Sequence, residues 1–262
     1  TGLVAETDLA VWQRMLSSLE HLHSIADEKG RHRLQVLIRD LSTTALGVLG
    51  LEPLDDEPDL DRELRALLFA AAGTTGNDNS VQDLARVIFT DNNNGQNTEP
   101  NLTAAAIRVV AAAGDEKIYG EIVDLYREAQ TPQLEVRYLM ALLEVEGTQL
   151  FEKTLDLFSN EVRTQNAPYL IGAAMAHRSH GALAWELIRD QWEELNKKFP
   201  QNSIPRMVGG IRSLSTPRLA AEIHSFFAEH PIPQGQLTLD QHLEKLSVNV
   251  ALREREGSRI GS

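Results

Sequence analysis

Apolar residues recur three and four positions apart along almost the whole chain, the spacing of one face of an α-helix. From Asp8 to Glu28 that face carries Leu9, Trp12, Leu16, Leu19 and His23, and the run is expected to stop at Gly30. Arg31 to Leu49 repeats it through Leu34, Leu37, Ile38, Leu41 and Ala45, ending at Gly50. No segment shows the alternation expected of a strand. With the proline spacing described next, the pattern predicts an all-α protein of about twelve or thirteen helices.

Proline marks the helix starts. Pro100, Pro132, Pro168, Pro205 and Pro217 each open an apolar-periodic run, where the missing N–H has no helical partner to lose. Thr131, Asn166 and Ser203 precede three of them as candidate N-caps. The first four prolines are spaced by 32, 36 and 37 residues. Each interval holds a helix pair: 101–113 with 115–129, 132–143 with 147–158, and 167–177 with 181–199. A recurring pair of that length predicts an α-α superhelix, a HEAT- or armadillo-like stack of antiparallel helix pairs. The polar stretches 51–61, 73–80 and 90–100 read as loops too short to separate domains, so residues 1–262 are expected to form one helical body.

A length of 262 residues is enough for a core without staples, and the absence of cysteine removes disulfides, thiolate chemistry and cysteine-ligated zinc. A formal charge of −13, with 25 basic residues scattered among 38 acidic ones, argues against nucleic acid. No apolar run is long enough for a membrane span, and no secretory leader is visible. The expected location is cytoplasmic. The chain begins at Thr1, and an excised piece of a longer protein is the expectation.

Metal chemistry finds little to work with. His177-x-x-His180 could place two imidazoles on one helix face, but the spacing implies no third ligand. Ordinary surface histidines are the competing reading. "DNNNG" (91–95) has its glycine fifth where a calcium loop needs it sixth, and its twelfth position is Leu102. Nucleophile-elbow, phosphate-loop and dinucleotide motifs are absent, and no histidine is followed by glutamate, which excludes H-E-x-x-H. No catalytic and no metal-binding residue is assigned.

In "GALAWELIRDQWEELNKKFP" (181–200), Trp185, Trp192 and Phe199 stand seven apart with Ile188 and Leu195 between them. The opposite side is charged, with Glu193/Lys197 and Glu194/Lys198 four apart. A cofactor stack or partner stripe would share that spacing, but a one-sided helix is better read as a structural seam packed into the core.

This helix also resembles the late helix of the C-terminal helical domain in zinc aminopeptidases of the aminopeptidase N type, the group of puromycin-sensitive and endoplasmic-reticulum aminopeptidases. Further matches follow in order: "LEPLDDEPDLDRELRALLFAAAG", "YREAQTPQLEVRYLMAL", "EVRTQNAPYL", "FFAEHPIP" and "LEKLSVNVALRERE". Asn166 stands where the family usually shows Asp, and Leu252 replaces the tryptophan of its N-x-x-W ending.

The resemblance implies a non-catalytic domain that caps the active site of a zinc metalloaminopeptidase and helps to enclose its peptide substrate. By it, the zinc and the motifs H-E-x-x-H and G-x-M-E-N belong to upstream domains absent here, and the first helical hairpin is missing as well. The implied partners are the catalytic domain of the same parent chain and peptide substrates, with no nucleic acid and no membrane. A free-standing α-solenoid scaffold and an unrelated helical enzyme using carboxylates or His177 and His180 are the alternatives. A peptide's terminal carboxylate calls for arginine. Arg137 beside Tyr138, Arg163 near Gln165, and Arg178 beside His177 are the candidate contacts, each weighed against an ordinary ion pair.

Overall fold

A computed structural model describes residues 6–54, 56–96 and 98–261. Thr1, Asp55 and Asn97, which figure in the start and two loops read above, lie outside them. Among the described residues there are fourteen α-helices and no strand, so the protein is all-α. The chain divides into two compact units, residues 1–145 with 259–262, and residues 146–258.

The first unit holds α1 (Leu9–Ile25), α2 (Glu28–Leu49), α3 (Asp59–Gly73), α4 (Asn79–Asn93), α5 (Pro100–Ala113), α6 (Glu116–Arg127) and α7 (Pro132–Ala141). The break after α1 falls at Ala26–Asp27 rather than at Gly30. Asp27 accepts the Gly30 N–H at 2.8 Å and so starts α2 three residues earlier than the glycine suggested. Likewise α4 runs through Asn93 into the stretch read as a loop. The helix 115–129 shortens to α6, and 132–143 ends as α7 followed by a 3₁₀ turn over Leu142–Glu144. Alanine-rich α5 is the most buried helix of this unit and packs against α3, α4 and α7.

One buried cation fixes the α2–α3 connection. Gly50, at φ 80°, ends α2 in a conformation that side chains rarely adopt. Its carbonyl accepts Arg65 Nε at 2.7 Å. The Arg65 guanidinium then clasps Glu57 with both terminal nitrogens, Nη1 to Oε2 at 2.8 Å and Nη2 to Oε1. Arg65 is 0% exposed, and Glu57 is nearly as covered. The acidic loop is therefore pinned at both ends by a residue of the helix that follows it.

The second unit holds α8 (Thr148–Asn160), α9 (Ala167–Ala174), α10 (Gly181–Asp190), α11 (Trp192–Lys198), α12 (Ile204–Met207), α13 (Pro217–Glu229) and α14 (Gln236–Glu256), with a 3₁₀ turn at Val208–Ser213. Here α9 packs on α8, α10, α12 and the 3₁₀ turn. Gly172 and Gly210 let those backbones meet: a Cβ on Gly210 would fall on the Gly172 carbonyl. On the other side of the turn, α14 is tied down by Asn249 Nδ2, which donates to the Arg212 carbonyl at 2.8 Å.

Three expectations for this unit change. The helix 181–199 is two helices, interrupted at Gln191 (φ −112°, ψ 21°). Phe199 is extended (φ −97°, ψ 149°), because the residue before Pro200 is pushed out of the helical region. The helix 167–177 ends at Ala174, which leaves His177 in a turn. Of the candidate caps, only Thr131 bonds its helix, to Leu134 N–H at 3.3 Å. Asn166 and Ser203 have helical backbones themselves, so their side chains make no capping bond, a task that needs an extended residue.

Despite the break, Trp185, Ile188, Trp192, Leu195 and Phe199 are all buried. Both indoles meet Phe226 and Phe227 of α13, with ring centroids 5.2–5.8 Å apart. Trp185 Nε1 donates to Glu222 Oε1 at 2.9 Å, and Arg189 Nη1 donates to the same oxygen at 2.7 Å. The buried indole thus has its one polar atom satisfied.

Two stability predictions follow from these contacts. Trp185→Ala and Trp192→Ala should each lower the unfolding free energy by about 3–5 kcal/mol in urea titrations; losses near the surface-mutation level would show that the rings are not core. The second concerns acid. Arg65's hydrogen bonds hold the Glu57 carboxyl below the usual carboxylate range, against the opposing effect of burial. A carboxyl depressed on folding contributes stability above its unfolded pKa of about 4.3 and loses it as pH falls through the folded value. Glu57→Gln should therefore cost about 3–5 kcal/mol at neutral pH, leaving a buried unpaired arginine, and flatten the stability–pH curve below about pH 4. An unchanged acid limb would contradict it.

Candidate functional site

The sequence-chosen contacts do not form one constellation. Tyr138 is buried on α7, where burial raises its hydroxyl pKa against the opposing charge of the neighbouring half-buried Arg137. Both belong to the first unit. Arg163 and Gln165 are exposed on the turn between α8 and α9, in the second unit. The Arg163 carbonyl closes that turn, accepting the N–H groups of Asn166 at 2.8 Å and Ala167 at 3.0 Å.

His177 and Arg178 follow the far end of α9, and their turn is tightly organised. His177 Nδ1 accepts the backbone N–H groups of Ser179 and His180, at 3.1 and 3.0 Å. That fixes Nδ1 as an acceptor. His177 stacks on His180 at 5.1 Å between centroids, and both rings lie against Phe151. His180 Nε2 sits 2.5 Å from the Glu146 carbonyl oxygen. The Glu146 side chain pairs with Arg178 and accepts Ser179 Oγ at 3.1 Å.

These histidines do not fit a zinc site. With Nδ1 accepting two backbone N–H groups, His177 carries its proton on Nε2 and offers no lone pair there to a metal, and the two rings lie in a turn rather than on a common helix face. Among the described residues no group of three His, Cys, Asp or Glu side chains could hold a metal ion. Nor is any described helix long and apolar enough to cross a membrane.

An aromatic–cation pair that the sequence reading missed is Tyr169 with Arg206. Tyr169 is 46% exposed. Arg206 is exposed as well, donates from Nη1 to the tyrosine hydroxyl, and lies 5.3 Å from the ring centroid. Each residue directly follows a helix-opening proline, Pro168 and Pro205. That common position was the available signal: the first helical turn turns both side chains outward while Pro168, Leu170, Pro205 and Met207 on either side are buried. The pair presents a flat ring, a hydroxyl and a guanidinium together at the surface, groups suited to peptide amides and carboxylates.

The class of domain is defined by comparison with known proteins. A family model described as the ERAP1-like C-terminal domain matches residues 1–248, and the chain belongs to that family. Among curated proteins it is 27% identical to Aminopeptidase M1-C of Oryza sativa subsp. japonica over 77% of this chain and 24% of the relative. It is 28% identical to Aminopeptidase M1 of Arabidopsis thaliana over 78% and 24%. Against the alanine/arginine aminopeptidase of Saccharomyces cerevisiae the identity is 25% over 92% and 29%. The chain spans about a quarter of the length of the curated relatives it matches.

Proposed function

We propose that this chain is the non-catalytic C-terminal helical domain of a zinc metalloaminopeptidase, closing over an active site carried elsewhere in the parent and holding the distal part of the peptide. The observation that supports this reading is the match of the domain family to residues 1–248, together with relatives that are aminopeptidases more than three times as long. In this reading the zinc and the attacking water belong to the rest of the parent, and this chain contributes binding remote from the reacting centre.

The side chains assigned to that binding are cationic groups beside rings or amides. Tyr169 with Arg206 leads, because both are exposed and joined to each other. Arg163 with Gln165 is an exposed second. Arg178 beside His177 and Arg137 beside Tyr138 complete the set, the first held by Glu146. An arginine that grips the far end of a peptide stabilises long substrates and leaves short ones untouched.

The test uses the full-length parent enzyme. Arg206→Ala and Arg163→Ala should lower kcat/KM for peptides of about nine residues by about tenfold in at least one variant, with dipeptide-sized substrates within about twofold of wild type. Equal losses for short and long substrates, or no loss for either, would reject a peptide-holding role.

A further inference from the structure

The first unit carries an open groove of about 530 Å³, lined by none of the residues assigned above to peptide contact. Its floor is apolar, built by Ala45, Val48, Leu54, Leu64 and Leu68. The volume lies within the range of ligand clefts, about 300–1,000 Å³. Val48 and Leu54 are 65% and 73% exposed, so no described part of the chain closes it. Leu51 and Leu60, on the same loop and the first turn of α3, are exposed as well. A small molecule filling the groove would leave those leucines in water, whereas a protein segment can cover them together.

Charge decides which segment. Residues 52–63 contain seven carboxylates and one basic residue, Arg62. Glu57 is committed to Arg65, but Asp56 and Asp61 line the groove with no ion-pair partner within 4.0 Å among the described residues. An anionic lipid surface would be repelled by this rim, and so would an acidic peptide. We infer that the groove docks a basic amphipathic segment of a partner protein, with apolar side chains entering over Val48 and Leu54 and Lys or Arg facing Asp56 and Asp61. The Arg65–Glu57 clasp holds one wall of it in place, so the surface is formed before the partner arrives.

The probe is a synthetic amphipathic peptide of leucine and lysine, titrated into the 262-residue chain by fluorescence anisotropy. Binding should saturate at one peptide per chain and weaken as salt rises. Val48→Ser with Leu54→Ser, both exposed and so harmless to folding, should weaken it by about tenfold or more. Asp56→Asn with Asp61→Asn should weaken it and flatten its salt dependence. Glu193→Gln with Glu194→Gln, an equal charge change on exposed α11 residues, should leave it unchanged.

Several results would overturn the inference. One is equal weakening by the α11 control, which would mean diffuse attraction to an acidic surface. Equal binding of a leucine–glutamate peptide is another, and so is no saturable binding at all. Sedimentation showing dimers that the Val48/Leu54 variant abolishes would also overturn it, because the occupant would then be a second copy of the chain.

Discussion

Arg65 is a fully buried charge, and the connection between α2 and α3 is arranged around keeping it satisfied. Three of its donors go to acceptors that lie before it in the chain, the Gly50 carbonyl and the two oxygens of Glu57. A guanidinium out of water is tolerable only with that degree of pairing. The requirement sets several features at once: the positive φ at Gly50, the path of the acidic loop, and the start of α3 immediately afterwards. Substituting a well-packed apolar side chain could match the stability of such a pair, but it would leave the loop without a defined path. Specification of the loop is thus the clearer consequence of this pair, with the exposed leucines and aspartates of the groove as its product.

The second unit solves a different problem, close approach. Gly172 and Gly210 bring two backbones together where side chains would collide, and Asn249 reaches the 3₁₀ turn from α14. Around α10 and α11 the interruption at Gln191 accompanies an arrangement in which both indoles share Phe226 and Phe227. Much of the functional vocabulary of the chain stands at such breaks. Tyr169 and Arg206 follow helix-opening prolines, Arg163 and Gln165 occupy a turn, and His177 organises another through two backbone N–H groups.

Most of the helices were legible because their apolar faces repeat with the helical period and their first residues include proline. Trp185 through Phe199 could be grouped as one buried edge for the same reason, though a straight helix was the wrong carrier. Pro200 gave a readable reason for extending Phe199, whereas the bend at Gln191 had no local signature. Capping was harder to read, since Asn166 and Ser203 have the right side chains on the wrong backbone, and Glu99 caps α5 with a longer side chain than usual. The surface pairs were least legible. Tyr169 and Arg206 are 37 residues apart, and the partner of Arg178, Glu146, lies 32 residues upstream. Neither partnership follows from spacing within one helix, because each depends on how separate helices pack.

The central claim concerns the protein to which this domain belongs. Its most direct test is the intact mass and zinc content of the native gene product, recovered from its source with an antibody raised against this chain. The account predicts a polypeptide more than three times the length of these 262 residues, in proportion to the relatives, holding one zinc per chain in the manner of a catalytic site with three protein ligands and a water. A native product of 29.1 kDa would contradict it, and so would a longer one without zinc.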